Sequence, residues 1–232
     1  TLLGADPVAR QPLAGGCLFD VHRVDLADGR TVVVKSGASA VADHLPLEAR
    51  MLGDLRAAGA PVPEVLAVAP DVLVLPWIAH DGSALDTPGQ TRLAEDLARL
   101  HAEPVPAFGY GYDTVIGRLP QPNPPSPAWI PFFRDHRLLV QVEAASAAGR
   151  LPPDLRHRLE RLAARLDGLL VEPTHPSLLH GDLWAGNVLV HAGRPVAWID
   201  PAISHGHPEI ELAFGTLFGP FDRTFFSVYG AL

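Results

Sequence analysis

Asp182, Asn187 and Asp200 have the residue types and the spacing that phosphoryl transfer requires. Four residues separate Asp182 from Asn187, which is the spacing of a phosphotransferase catalytic loop. The aspartate in such a loop orients and deprotonates an attacking hydroxyl, and the asparagine holds a magnesium ion. Asp200 would be the second magnesium ligand. The pattern therefore predicts an active site for metal-assisted phosphate transfer.

The segment between Asn187 and Asp200 predicts a β-hairpin. Two apolar runs, 188–190 and 196–199, flank the turn-like residues 191–195. Asn187 and Asp200 lie just outside the two strands at equal distances from the turn, so antiparallel pairing would bring them to the same open end. Two oxygen donors there suit a hard cation such as Mg²⁺. The alternative is an ordinary surface hairpin with a capping Asp and Asn.

The first third of the chain predicts the nucleotide half of the site. Residues 18–26 and 31–35 form two predicted strands joined by a tight turn. Gly15 and Gly16 precede the first strand, where glycines let backbone N–H groups approach phosphate oxygens. Lys35 ends the second strand, and we assign it to the α- and β-phosphates of the nucleotide. A solvated lysine at a strand end is the alternative.

A helix after Lys35 would supply a carboxylate partner for it. Four apolar residues recur at helical spacing and Gly59 is a plausible stop; they are Leu47, Met51, Leu52 and Leu55. Glu48 lies within this helix and is the predicted partner. Asp43 and Asp54 are alternatives, and a solvated carboxylate on the helix face is the other interpretation of Glu48.

A change from apolar to polar sequence at about 75–80 predicts a hinge between two lobes. The N-terminal nucleotide-binding lobe would span 1–76, and the C-terminal catalytic and acceptor-binding lobe 77–232. At the hinge, we expect backbone groups and apolar side chains to hold adenine; these are Leu75, Trp77 and Ile78. Trp77 could instead belong to the core between the lobes.

The fold class that follows is α+β. A small antiparallel sheet with one main helix precedes a mostly helical lobe that contains the catalytic-loop hairpin. In that lobe we predict a helix with an N-cap at Ser126 and Pro127 in its first turn, running to Leu139. Three sets of apolar residues in this lobe predict core-facing helix positions, and the second set lies on the helix just described. They are Leu93, Leu97 and Leu100; Trp129, Ile130, Phe132 and Phe133; and Leu155, Leu159, Leu162 and Leu166.

Composition weighs against several classes of protein. The chain has 26 acidic and 18 basic residues, a formal charge of −8, and no basic run, so nucleic acid is not an expected partner. Every apolar stretch is interrupted before it reaches the length of a membrane span, so no membrane partner is expected. The single cysteine, Cys17, excludes an internal disulfide framework and fits a reducing cytoplasm. We hypothesise that oxidation of Cys17, or a disulfide between two chains, blocks nucleotide binding; a small packed residue is the alternative. We expect a monomer or weak dimer.

At this point the motifs resemble those of the fructosamine/ketosamine kinase family, within the aminoglycoside-phosphotransferase branch of protein-kinase-like folds. Residues 180–187 resemble the signature His-Gly-Asp-Leu-Trp-Ser-Gly-Asn, with Ala185 in place of the small hydroxyl residue. Further similar segments are Gly15-Gly16-Cys17, Ile116-Gly117, Pro120-Gln121-Pro122-Asn123, Phe132-Phe133 with residues 136–139, 199–202 and 206–213. The similarity runs from about Gly15 to Phe221.

The resemblance implies a bilobal protein-kinase-like fold and ATP-dependent phosphorylation, with Mg²⁺, of a sugar hydroxyl on a ketosamine. In the family's best-known members that hydroxyl is on carbon 3, and the unstable product releases the amine, which reverses glycation. The acceptor would be a small ketosamine or a glycated amine or protein. Asp182 would be the base. His180 and Trp184 would lie on the acceptor side, although the Trp184 ring could instead pack beneath the loop. Glu211 is expected to anchor the catalytic lobe.

Three rival functions remain open. One is a kinase of the same fold acting on an aminoglycoside, choline or another amino alcohol. Another is a nucleotide-binding pseudokinase, which the presence of Lys35, Asp182, Asn187 and Asp200 weighs against. The third is a protein kinase, which the missing Asp-Phe-Gly and Ala-Pro-Glu motifs weigh against. The family pattern continues past Phe221 into further helices, so we expect residues to be missing at one or both ends.

Overall fold

The computed structural model describes residues 2–13, 18–37 and 43–232. Its N-terminal part contains a five-stranded antiparallel sheet in the order β1-β2-β3-β5-β4. The strands are β1 (Pro7–Pro12), β2 (Asp20–Leu26), β3 (Thr31–Ser36), β4 (Ala67–Ala69) and β5 (Val72–Pro76). Edge strand β1 was not predicted, because all six of its residues are exposed and give no alternating apolar pattern.

Helix α1 (His44–Ala57) packs against this sheet. Its predicted apolar face is largely confirmed, because Met51, Leu52 and Leu55 are at most 1% exposed. The helix ends just before Gly59, whose φ of +82° favours glycine. The face that carries these residues also carries Glu48, which is 6% exposed.

The second part contains six further helices and three two-stranded antiparallel sheets within the described residues. The helices are α2 (Thr87–His101), α3 (Trp129–Phe133), α4 (Leu139–Ala147), α5 (Pro153–Ala163), α6 (Pro208–Phe218) and α7 (Arg223–Tyr229). The strands pair as β6 (Thr114–Ile116) with β7 (Leu119–Gln121), β8 (Ser177–Leu179) with β11 (Ser204–Gly206), and β9 (Val188–His191) with β10 (Arg194–Trp198). On α2, the predicted core positions Leu93, Leu97 and Leu100 are at most 1% exposed.

The predicted helix start at Ser126 and Pro127 is wrong. Helix α3 begins at Trp129, and the side chain of Glu172 accepts hydrogen bonds from the N–H groups of Trp129 and Ile130 at 2.7 and 2.9 Å. Glu172, which is distant in sequence, therefore caps the N-terminus of α3 in place of a neighbouring residue. One π-helical turn, Arg134–Leu138, separates α3 from α4.

The predicted burial of the α5 leucines is also wrong in part. Leu155 and Leu162 are 37% and 41% exposed, whereas Leu166, just beyond the helix, is 4% exposed. Periodicity identified the apolar face correctly, but few elements pack against that face in the described part of the chain. The helix rests mainly on α4.

A continuous hydrophobic core joins the two parts. Leu52 of α1, Leu75 of β5, Leu97 of α2, Trp198 of β10 and Phe225 of α7 all belong to one cluster. This shared core fixes the sheet relative to the catalytic loop. No helix in the described ranges is both long and apolar enough to cross a membrane.

Candidate active site

Gly181 allows the loop after β8 to pass close to the segment between β10 and β11. Its φ is +86°, and a Cβ at this position would lie 2.0 Å from the carbonyl oxygen of Ala202. The N–H of Ala202 donates to the carbonyl of His180 at 2.8 Å. Glycine is therefore required between His180 and Asp182, because any side chain would separate the loop from the segment that follows Asp200.

Glu211 holds the same loop from behind. Its carboxylate accepts hydrogen bonds from the backbone N–H groups of His180 at 3.1 Å and Gly181 at 2.6 Å, and from His101 Nε2 at 3.0 Å. Burial raises the pKa of this carboxyl group, but the hydrogen bond and charge of His101 outweigh burial and lower it. An ionised, buried Glu211 thus ties α6 and α2 to the catalytic loop.

Asn187 orients Asp182 directly. Its Nδ2 donates to the backbone carbonyl of Asp182 at 2.8 Å and to Oδ2 of the same residue at 2.9 Å. Burial, with a contribution from Asp200 and Glu211, raises the pKa of Asp182 to about 6, although the hydrogen bond from Asn187 opposes this. A cation bound nearby would lower the pKa again. Both N–H bonds of the amide are used on Asp182, which leaves the Asn187 Oδ1 for another partner.

The β9–β10 hairpin brings Asn187 and Asp200 to its open end, with one difference from the predicted geometry. A one-residue irregularity in β10, between Pro195 and Ala197, makes Trp198 the partner of Val188. The N–H of Ile199 then donates to the carbonyl of Asn187 at 2.9 Å. The two residues are therefore not at equal distances from the turn: Asp200 lies one residue further from it than Asn187 does. It adopts a left-handed conformation with φ +56°.

Lys35 joins the two halves of the site. Its Nζ donates to Glu48 Oε1 at 2.6 Å and also to Asp200 Oδ1. Burial alone would lower the pKa of Lys35, but the charges of Glu48 and Asp200 raise it above its usual value. Lys35 is thus held as an ammonium group at the end of β3, and Glu48, rather than Asp43 or Asp54, is its partner on α1.

One cavity of about 1120 Å³ connects these groups. Its lining includes nearly all the described residues that the sequence singles out: Lys35, Glu48, Leu75, Trp77, Ile78, Asp182, Trp184, Asn187 and Asp200. His180 is the exception, since it is fully buried behind the loop, and burial lowers its pKa. Gly15, Gly16 and Cys17 lie outside the described residues.

In the segment that follows β5, Trp77 lies between the cavity and the guanidinium group of Arg23. Its ring lines the cavity, and on another side the Arg23 guanidinium carbon lies 5.0 Å from the ring centroid. The backbone N–H of Trp77 is bonded to the carbonyl of Thr31 at 3.1 Å, and His80 Nδ1 donates to the carbonyl of Ile78 at 2.8 Å. The backbone of residues 77–78 is therefore held by hydrogen bonds to neighbouring residues.

Trp184 presents its ring to the cavity because Gly186 leaves room for it. The side chain lies among the wall residues near Asp182 and is 39% exposed. A Cβ at position 186 would lie 2.4 Å from the ring. The ring thus packs over the glycine of the same loop, and its outer face remains open.

Sequence reasoning missed several contacts that hold α1 and the β9–β10 hairpin in place. Asp54 on α1 accepts hydrogen bonds from the hydroxyl groups of Tyr110 and Tyr112. Asp81 Oδ2 accepts a hydrogen bond from the N–H of Ala192 at 2.9 Å, and Ser83 Oγ accepts one from the N–H of Gly193 at 2.9 Å. Residues 81–83 are therefore bonded to the turn of the β9–β10 hairpin. The Tyr-Gly-Tyr pattern at 110–112 was the one available signal, and it was not used, because its partner Asp54 is distant in sequence.

The architecture is shared with solved small-molecule phosphotransferases. A macrolide 2′-phosphotransferase type I superposes with a TM-score of 0.68 at 19% identity, over 98% of this chain and 78% of the other. At that identity the similarity establishes the fold alone. It confirms the predicted bilobal α+β fold of the protein-kinase-like phosphotransferases.

Closer comparisons define the family. The fructosamine kinase family profile matches residues 4–232. A crystal structure from Thermobifida fusca, provisionally assigned as a fructosamine-3-kinase, superposes with a TM-score of 0.89 at 31% identity, over 99% of this chain and 81% of that one. A probable ketoamine kinase of Synechocystis sp. is 36% identical over 162 residues, or 69% of this chain and 53% of the relative. This chain belongs to the fructosamine kinase family. It spans about half the length of the first curated relatives it matches.

Proposed function

We propose that this chain transfers the γ-phosphoryl group of ATP to a sugar hydroxyl of a ketosamine. Membership of the fructosamine kinase family supports the reaction class. The observation that carries the proposal is the placement of Asp182, bonded to Asn187, in the same cavity as the Lys35–Asp200 pair. Asp182, the base for the acceptor hydroxyl, and Lys35, the cation for the nucleotide phosphates, thus line the same cavity.

The nucleotide would occupy the side of the cavity nearest the sheet. Leu75, Trp77 and Ile78 would contact adenine, since their apolar surface lines that end. Lys35 would bind the α- and β-phosphates while Glu48 fixes its direction from α1. Gly15 and Gly16 would add backbone N–H donors to the phosphates.

Asn187 and Asp200 fit a magnesium site. Magnesium prefers oxygen ligands and usually keeps several waters. The Asn187 Oδ1 is the amide atom left over after Nδ2 binds Asp182, and Asp200 is 46% exposed in the cavity wall. When bound, Mg²⁺ would neutralise charge on the β- and γ-phosphate oxygens.

Asp182 would hold the acceptor hydroxyl in line with the γ-phosphorus and accept its proton. The transition state of phosphoryl transfer is loose in most analyses, so positioning and electrostatics supply most of the catalysis. The two hydrogen bonds from Asn187 and the anchoring of the loop by Glu211 would keep the Asp182 carboxylate in a single orientation. Rigid placement of this kind is what the in-line geometry demands.

Trp184 would form one wall of the acceptor site, because its open face lies near Asp182. The acceptor would be a small ketosamine or a glycated amine or protein. His180 is too deeply buried for contact with an acceptor, so we propose that it supports the loop from below. We also propose a hinge at 75–80 between lobes 1–76 and 77–232, and a cytoplasmic monomer or weak dimer.

An acceptor panel tests the proposal. ADP release would be measured with Mg-ATP and fructosyl-lysine, ribulosyl-lysine, an aminoglycoside or choline, with Asp182→Asn as the matched control. Turnover on a ketosamine that is lost in the variant supports the proposal. Turnover confined to the aminoglycoside or choline would overturn the substrate class, and nucleotide binding without turnover on any acceptor would favour a pseudokinase.

A further inference from the structure

Lys35 is the only lysine in the sequence. The 18 lysine and arginine residues comprise this one lysine and 17 arginines. The one ε-amino group of these 232 residues is therefore the one that lines the candidate nucleotide site.

The geometry does not require arginine at many of the other positions. Arg56 and Arg156 form exposed ion pairs with Glu64 and Glu160, with arginine side chains 55% and 39% exposed. Lysine forms such surface pairs as well, and they contribute little to stability. A few arginines do use the planar guanidinium, as Arg50 does over the ring of Tyr112 at 3.6 Å. Packing thus explains some arginines but not the absence of surface lysine.

Lys35 itself is enclosed. Its side chain is 12% exposed, and its ammonium group is bonded to Glu48 and to Asp200 within the cleft. Lys35 lines the cavity that a bound nucleotide would fill.

Primary amines are the precursors of ketosamines, the proposed substrates. A reducing aldose forms a ketosamine when an uncharged amine attacks the aldehyde carbon, a C–N bond forms and water leaves. A proton then moves from carbon 2 of the imine to carbon 1 as the carbonyl forms at carbon 2. Arginine side chains stay protonated in proteins, so they do not supply the free amine that this reaction needs.

We propose that this chain resists glycation by the reducing sugars that generate its substrates. The surface offers no ε-amino group, and the one that is present is enclosed in the cleft. The biological meaning rests on the proposed function: in a ketosamine kinase, the nucleotide site within these 232 residues would stay unmodified while reducing sugars accumulate.

The test is glycation of the folded chain by D-ribose at neutral pH without nucleotide, read by peptide mapping and mass spectrometry. Arg158→Lys is the matched variant, because Arg158 is exposed on α5, away from the cavity. We expect the introduced lysine to gain ribose several-fold faster than Lys35 in the same molecules. After unfolding in urea, the two lysines should react at similar rates.

Equal rates for the two lysines in the folded chain would overturn the proposal. So would a Lys35 rate that urea does not increase. Because the readout is mass, it does not depend on kinase activity: slow Lys35 modification without ketosamine turnover would refute only the proposed function. Rapid Lys35 modification in an active ketosamine kinase would refute only the resistance to glycation.

Discussion

The hydroxyl group of Tyr112 donates a 2.7 Å hydrogen bond to Asp54 Oδ2 and so links helix α1 to the segment before β6. Tyr110 donates to the same oxygen at 3.0 Å. Burial, with the hydrogen bond to Asp54, raises the pKa of the Tyr112 hydroxyl, which keeps it a neutral donor. Because α1 also carries Glu48, this contact fixes the partner of Lys35 relative to the catalytic loop.

Removing the Asp54 carboxylate, which accepts both tyrosine hydrogen bonds, should therefore loosen the nucleotide site. We expect Asp54→Ala to lower the free energy of unfolding by about 1–3 kcal/mol, since two part-buried hydroxyl groups lose their acceptor. The KM for Mg-ATP should rise because Glu48 is less well placed. Asp54→Asn keeps one oxygen that can accept a hydrogen bond. Its free energy of unfolding and its KM for Mg-ATP should therefore lie closer to those of the natural chain than the values of Asp54→Ala do. Steady-state kinetics and urea unfolding measure these effects, and an unchanged KM in the alanine variant would contradict the positioning role.

Trp184 provides a second prediction, on the acceptor side. We expect Trp184→Ala to raise the KM for a ketosamine by about tenfold, as for a loss of ~1.4 kcal/mol of binding free energy, with little change in the KM for Mg-ATP. Gly186→Ala should act in the same direction, because its Cβ would meet the ring at 2.4 Å. If either variant raised only the KM for Mg-ATP, the ring would belong to the nucleotide side.

The pH dependence of stability should reveal the ionised Glu211. Its folded-state pKa lies below the ordinary 4.5, so its charge stabilises the fold above the unfolded-state pKa, and this contribution is lost as pH falls through the folded-state value. We expect Glu211→Gln to be less stable than the natural chain by about 2 kcal/mol at pH 7. The difference should shrink below about pH 4. Urea unfolding over a pH series checks this; a constant difference would mean that folding does not lower the pKa of Glu211.

The features that the sequence predicted well are encoded locally. Asp182, Gly181 and Asn187 lie within one short loop, and the turn between β9 and β10 needs only neighbouring residues to bring Asp200 to the open end. Helix α1 could be predicted because its apolar residues recur with the helical period. Local spacing therefore located Asp182, Asn187 and Asp200 of the cavity lining before any tertiary contact was known.

The features that were missed depend on partners far away in sequence. Glu172 caps α3 from 43 residues away, and Tyr112 meets Asp54 across 58 residues. The exposure of Leu155 and Leu162 depends on what packs against α5, which periodicity does not specify. The position of His180 also depends on distant residues. The loop motif placed it on the acceptor side, but packing against Trp198 puts its ring behind the loop.

Direct identification of the phosphorylated acceptor tests the central claim. Fructosyl-lysine would be incubated with Mg-ATP and the chain, and the acceptor analysed by mass spectrometry and phosphorus NMR. We predict a phosphate monoester on a sugar hydroxyl with the natural sequence and none with Asp182→Asn, while both proteins bind Mg-ATP. An unphosphorylated acceptor with the natural chain, or equal product from the variant, would contradict the assignment of Asp182 and its cavity to ketosamine phosphorylation.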